Sequence, residues 1–254
     1  MHLILTGATG LVGSSVLDAM IKMKDIRKIS ILSRRPVPMA EDAKDPRINV
    51  IIHQDFEKYD SELLDKLKGA RGCVWALGIS QMQVGTEEYV KITKTFSLAA
   101  AKAFQTLTPA GEGPFNFIYV SAGGTTTDPG TFTPFFSRVK GEVEVALADM
   151  RRENPGFHAV SARPLSVDAS AHDAIKPYIS APPLAIRLLM PVLGPPIRMI
   201  FTRYHSPTEH LGRVLAELAL GRFEGRFLGG KDIQMIGEFP ILENTALRRF
   251  AGLS

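Results

Sequence analysis

The chain is 254 residues long, 45 % apolar and 22 % charged, with a formal charge of +4. Those values match those of an ordinary soluble globular protein and leave room for one large α/β domain, or two small ones, with a buried core. Basic and acidic residues are interspersed, so no nucleic-acid partner is expected, and the single cysteine, Cys73, excludes an intrachain disulfide and a cysteine-based metal site and fits a reducing compartment.

"HLILT", from His2, reads as a strand, and the segment from Gly10 to about Met23 as a helix. A strand that starts at His2 leads us to expect no secretory leader. "KISILS" is the second strand and, after a polar loop, "INVIIHQ" the third. "SELLDKLKG" is a helix, "GCVWALG" the fourth strand, and a long helix runs from about Glu87 to Phe104. "FNFIYVSA" is the fifth strand, "PFFSRVKGEVEVALADMRR" a helix and "HAVSARP" the sixth strand. Buried β-rich runs separated by helices predict βαβ units and a doubly wound parallel sheet.

The pattern changes after Pro164. Prolines cluster between Lys176 and Pro196 around apolar helical pieces, and "SPTEHLGRVLAELAL" opens with a capping box: Ser206 at the N-cap, Pro207 at N1, Glu209 at N3. The whole of 1–254 is expected to be one domain, with 1–164 the cofactor-binding core and 165–254 a small, helical, proline-rich substrate cap with C-terminal elements. The stretch Leu184–Phe201 is apolar but holds Arg187 and Arg198 and is broken by Pro191, Gly194, Pro195 and Pro196, so a membrane span is rejected and an interfacial helix left open.

Gly7, Gly10 and Gly13 follow the first strand and enter a helix. Glycines at that spacing let the backbone approach a pyrophosphate, which the helix N-terminus then binds. The cradle comprises Thr6, Gly7, Thr9, Gly10, Leu11, Val12 and Gly13. The second strand ends in Ser33, Arg34 and Arg35, where an NAD enzyme commonly carries an acid for the ribose hydroxyls. With no carboxylate there to repel a 2′-phosphate, and guanidinium groups to grip it, NADP(H) is favoured over NAD(H). Asp55 and Phe56 are assigned to the adenine edge, and Ala76, Leu77 and Gly78 to the cofactor's path past the fourth strand. The six histidines show no metal-ligand spacing, and Trp75 is read as core.

"TGATGLVG", "ALGIS", "YVSA", "VKGEVE" and "ARP", in this order, resemble the extended or atypical short-chain dehydrogenase/reductases, a Rossmann-fold family that includes epimerase-like enzymes and usually prefers NADP(H). The likeness is greatest to the Tat-interacting-protein-like branch and its fungal relatives, and "VKGEVE" is its most branch-specific piece. The resemblance implies a serine that binds the substrate oxygen, a tyrosine that exchanges the proton, and a lysine that holds the nicotinamide ribose. Ser121 and Lys140 match, while the tyrosine position is Phe136 and the helix-borne asparagine is replaced near Thr93. The resemblance also assigns Arg163 and Pro164, of the "ARP" piece, to the cofactor site.

A phenyl ring cannot transfer a proton. Four explanations stand side by side: another donor (Tyr178, His172, Thr125 to Thr127 or Ser137), a non-redox reaction such as isomerisation or elimination, cofactor binding without turnover, or an engineered Tyr→Phe substitution. The expectation is an NADP(H)-dependent oxidoreductase, or a related isomerase or lyase, acting on a small apolar molecule. A non-catalytic NADP(H)-binding regulator is the alternative. A cytoplasmic location is expected, with contact to an organelle membrane surface and a homodimer left open.

Overall fold

A computed structural model describes residues 1–108, 113–180, 189, 200–227 and 231–253. An eight-stranded sheet runs in the order β3-β2-β1-β4-β5-β6-β10-β9. Its strands are β1 (His2–Thr6), β2 (Lys28–Ser33), β3 (Ile48–Ile52), β4 (Ala70–Trp75), β5 (Phe115–Val120), β6 (Phe157–Arg163), β9 (Ile233–Ile236) and β10 (Phe239–Glu243). All neighbours are parallel except β9, which is antiparallel to β10. The order 3-2-1-4-5-6 is that of the doubly wound Rossmann fold, whose direction reverses between β1 and β4.

The buried strands read as unbroken apolar runs because helices cover both faces. On one face α1 (Leu11–Lys22) packs against α7 (Thr208–Ala219), with α8 (Asn244–Phe250) beside them. On the other lie α3 (Ser61–Leu67), α5 (Phe96–Phe104) and α6 (Phe135–Glu153). There Trp75 stacks on Phe117, which meets Phe157 and Phe104 in turn, so the aromatic core expected at Trp75 is present.

Four features depart from the sequence reading. The polar loop after β2 holds a short helix, α2 (Pro38–Ala43), opened by a proline at its first turn. The long helix before β5 is three pieces: α4 (Thr86–Val90), a π turn (Lys91–Thr95) and α5. The capping box is absent. Pro207 is the N-cap of α7, and Ser206 lies in a two-residue strand, β8 (Ser206–Pro207), paired with β7 (Val167–Asp168). The buried Ser206 hydroxyl is hydrogen-bonded to Asn244 Oδ1 at 2.5 Å, so it cannot turn back to cap the helix. Finally, the C-terminal part is more than a helical cap, because β10 lies beside β6 and extends the main sheet.

The proline-rich cap and most of the Leu184–Phe201 segment fall outside the described residues, although Leu189, Ile200 and Phe201 are exposed. Among the described residues, no helix is long and apolar enough to cross a membrane.

Candidate active site

The glycine turn sits at the reversal point of the sheet. Gly7 has φ +69°, the left-handed region that favours glycine, and a Cβ there would stand 2.3 Å from the Ala76 carbonyl oxygen. At Gly13 a Cβ would stand 2.0 Å from the Gly7 carbonyl oxygen. The turn is thus compressed between β4 and α1 and admits no side chain at either position. Gly10 closes it by donating to Gly7 O at 2.9 Å, and as N-cap of α1 it carries no side-chain cap. Gly10 and Leu11 are exposed, so the first turn of α1 opens to solvent where an anion would bind.

Arg34 and Arg35 are exposed at the end of β2. The Arg35 guanidinium donates to Thr9 Oγ1 at 3.2 Å and so lies against the glycine turn. Gly78 is exposed, and Ala76 and Leu77 are half-buried beside them. Asp55 is exposed, accepts from the Glu57 amide at 3.1 Å and pairs with Lys58 at 3.6 Å. A glycine cradle closed to side chains, an open helix N-terminus and an adjacent guanidinium together fit a dinucleotide.

Five residues assigned to the cofactor have side chains engaged in the walls of the site. Thr6 is fully buried and accepts from the Leu77 amide, tying β1 to the segment after β4. Ser33 is buried, with its hydroxyl donating to Arg35 O at 2.7 Å inside the turn. Phe56 is fully buried among Trp75 and Phe96. Pro164 is buried, and its carbonyl accepts from Gly123 N at 2.9 Å. Arg163 is 2 % exposed and bound on both sides by acids, so it is not available to a ligand.

At the end of β5, Ser121 donates from its amide to Ala162 O at 2.8 Å and from its hydroxyl to Thr125 Oγ1 at 3.3 Å. Helix α6 carries Phe136 and Lys140 one turn apart, hence on one face, and both are half-buried. The tip of the Phe136 ring reaches to 4.0 Å from where a Gly124 Cβ would stand. Lys140 Nζ donates to Val120 O at 3.4 Å and lies 5.5 Å from the centroid of the Tyr119 ring. The helix therefore brings the lysine beside the serine-bearing strand, as the resemblance implies. Loss of water around the Lys140 ammonium pulls its pKa down to about 8, against the opposing charge of Glu144.

The alternative donors fall into two groups. Tyr178 donates to Asp42, and His172 is buried between Asp18 and Thr208; both side chains are bonded at the α1 and α2 side of the fold. Thr126 is folded into a turn with Asp128, and the Ser137 hydroxyl donates to Gly124 O at 2.6 Å. Among the described residues, Thr125 is the alternative donor hydrogen-bonded to a triad position, accepting from Ser121 Oγ.

Three buried side chains near Lys140 were not singled out in the sequence. Tyr119 has a hydroxyl with no hydrogen-bond partner, and burial together with Glu144 and Tyr89 pushes its pKa up. Tyr89 is buried and hydrogen-bonded to Thr93 through the π turn, and its ring meets Phe135 at 5.9 Å. Glu144, one turn beyond Lys140, is fully buried. It accepts from Ser161 Oγ at 2.7 Å, Arg163 Nε at 3.0 Å and Arg163 Nη2 at 2.5 Å. Its position within "VKGEVE", on the apolar face of α6, was the available signal.

No protein-family model matches the chain. It is 34 % identical over 259 residues to leucinostatins biosynthesis cluster protein T of Purpureocillium lilacinum, covering 94 % of this chain and 90 % of that protein. It is 42 % identical over 158 residues to botcinic acid biosynthesis cluster B protein 16 of Botryotinia fuckeliana, covering 62 % of this chain and 99 % of the relative. Among solved structures, a short-chain dehydrogenase/reductase-family oxidoreductase from Burkholderia thailandensis superposes with TM-score 0.65 at 13 % identity, covering 97 % of this chain and 92 % of that one. The PhqB reductase domain from Penicillium fellutanum superposes with TM-score 0.64 at 14 % identity and covers 86 % of this chain, which spans 64 % of that domain. At those identities the structural likeness establishes the Rossmann fold and nothing finer.

Proposed function

This chain belongs to the family of leucinostatins biosynthesis cluster protein T, and from that premise we propose that it is an NADP(H)-binding enzyme of short-chain dehydrogenase/reductase type acting on a small apolar molecule of fungal secondary metabolism. The observation that carries the reading is the glycine turn, closed to any side chain at Gly7 and Gly13 and overlain by Arg35. In this reading the first turn of α1 receives the pyrophosphate, Arg34 and Arg35 the 2′-phosphate, and Lys140 the nicotinamide ribose. When bound, the cofactor would accept or deliver hydride. Ser121, with Thr125 behind it, orients a substrate oxygen. We keep the placement on the Tat-interacting-protein-like branch, and a cytoplasmic location, as parts of the same proposal.

Phe136 favours a second reading, a binder without redox turnover. A missing proton donor removes about 10²–10⁴-fold of rate while leaving cofactor contacts in place. The test is calorimetric titration with NADPH and NADH, alongside NADPH oxidation with a panel of aldehydes and ketones. Binding of NADPH with turnover supports the enzyme, binding without turnover supports the second reading, and failure to bind either cofactor refutes both.

A further inference from the structure

Position 136 removes the phenol from the site but leaves an amine whose surroundings are unusual for lysine. Lys140 Nζ has one long hydrogen bond, 3.4 Å to Val120 O, and lies over the Tyr119 ring. Among the described residues no carboxylate lies within 4.0 Å of it, although Glu144 stands one helical turn away on the same face. Glu144 does not pair with Lys140 because its oxygens are taken by Ser161 and by Arg163. Arg163 is in turn held from the other side by Glu243 at 2.7 Å. The clasp thus ties up the acid that would otherwise fix Lys140 as an ammonium. Phe136 walls the same face of α6 with carbon where a phenol would have offered an oxygen.

We propose that Lys140 is a nucleophilic amine that condenses with the carbonyl group of a small aldehyde or ketone held at Ser121. The inference rests on reading the Ser121–Lys140 end as a carbonyl site, and it deepens the non-redox branch of that reading. The Nζ lone pair forms a bond to the carbonyl carbon while the C=O π pair moves onto oxygen, which takes one proton from solvent, the one proton the whole condensation consumes. The resulting carbinolamine transfers a proton from nitrogen to its hydroxyl, loses water and leaves a protonated imine. No electrons are exchanged with any third group. Ser121 and Thr125 provide the hydroxyl pair that holds the oxygen during addition. An imine at that position makes the adjacent C–H acidic, which is the chemistry an isomerisation or elimination needs. The desolvation that lowers Lys140 to about 8 supports the assignment, since it leaves roughly a quarter of the amine free at pH 7.5, against about one part in a thousand for an ordinary lysine.

The experiment treats the full chain at pH 7.5 with propanal or benzaldehyde and cyanoborohydride, which reduces any imine to a stable amine, and locates the label by peptide mass spectrometry. Lys140 is expected to be alkylated at least about tenfold faster than any other lysine, with the N-terminal amine set aside, and to lose that advantage in urea. Arg163→Met, which frees Glu144 to pair with Lys140, is expected to slow labelling by a similar factor. If that variant does not fold, Phe136→Tyr serves instead, because a phenol oxygen beside the amine is expected to slow labelling too. Labelling of Lys140 at the rate of the exposed lysines, or equally fast in urea, overturns the proposal. A parallel arm with saturating NADPH separates the two readings. Protection of Lys140 supports the assigned cofactor position; fast labelling unaffected by bound NADPH refutes that position and leaves the amine chemistry standing.

Discussion

Replacing Lys140 by methionine should stabilise the protein at neutral pH and lose that effect in alkali. The amine is half-buried and titrates at about 8, some 2.5 units under an ordinary lysine. The unfolded chain therefore binds a proton between about pH 8 and 10.5 that the folded chain has released. Stability must then rise with pH across that window, and the penalty for holding the ammonium is complete below about pH 8 and gone above about 10.5. The full shift corresponds to about 3.4 kcal/mol, and partial solvation of a half-buried group reduces it to about 1–3 kcal/mol. Lys140→Met keeps the length of the stem and removes the charge, so its advantage at pH 7 is expected to be about 1–3 kcal/mol and to shrink by roughly 1–2 kcal/mol at pH 9.5. Urea unfolding of both proteins at the two pH values measures this, and the difference cancels the other lysines and tyrosines that titrate in the same range. A variant that is less stable at pH 7, or a difference that does not change with pH, would show that Lys140 is an ordinary solvated lysine.

NADPH is expected to bind at least about tenfold tighter than NADH, and Arg34→Ala with Arg35→Ala to erase most of that gap, as two charge-assisted contacts of about 1–2 kcal/mol each would require; equal dissociation constants by calorimetry sink this. Gly10→Val projects carbon from the exposed N-cap of α1, so cofactor binding should fail while the circular dichroism spectrum stays native. Phe136→Tyr is expected to raise NADPH-dependent carbonyl reduction by up to about 10²–10⁴-fold, and an unchanged rate from a protein already turning over would place the donor elsewhere. Glu144→Ala leaves Arg163 buried with only its Glu243 side paired, and is expected to cost about 3–5 kcal/mol in urea unfolding; a loss under about 1 kcal/mol would contradict the burial of that clasp.

The strands of the parallel core were legible because they are mostly apolar runs, from "HLILT" to "HAVSARP", buried on both faces except in the outer strand β3. The cradle was legible for a related reason: Gly7 and Gly13 are there because carbonyl oxygens stand where their side chains would be, and that constraint is local to strand, turn and helix. The C-terminal strands were missed because β9 and β10 are short and gain their identity from pairing, β9 on β10 and β10 on β6, some 80 residues earlier in the chain. Ser206 and Pro207 gave a sound local capping signal that the tertiary partner Asn244 overrode. Arg163 was misassigned because "ARP" gives its place at the end of β6 but not the two acids, buried Glu144 from α6 and half-buried Glu243 from β10, that claim its guanidinium.

That misassignment bears on the chemistry. A buried ion pair is weak as a source of stability, since the desolvation of two charges offsets most of their attraction. The Glu144–Arg163–Glu243 clasp is better explained by what it withholds than by what it adds. Without Arg163, Glu144 would be the natural partner of Lys140, and a paired ammonium would neither titrate near neutrality nor attack a carbonyl. With a tyrosine at position 136, such an amine would have a phenol to act through. With Phe136 that phenol is gone, and on the proposed reading the exchange at Ser121 involves Lys140 itself, with the Thr125 hydroxyl behind Ser121. The phenyl ring does not silence the site on this argument. Under the imine chemistry proposed above, the reactive atom shifts by one helical turn, from an oxygen at position 136 to the nitrogen at position 140.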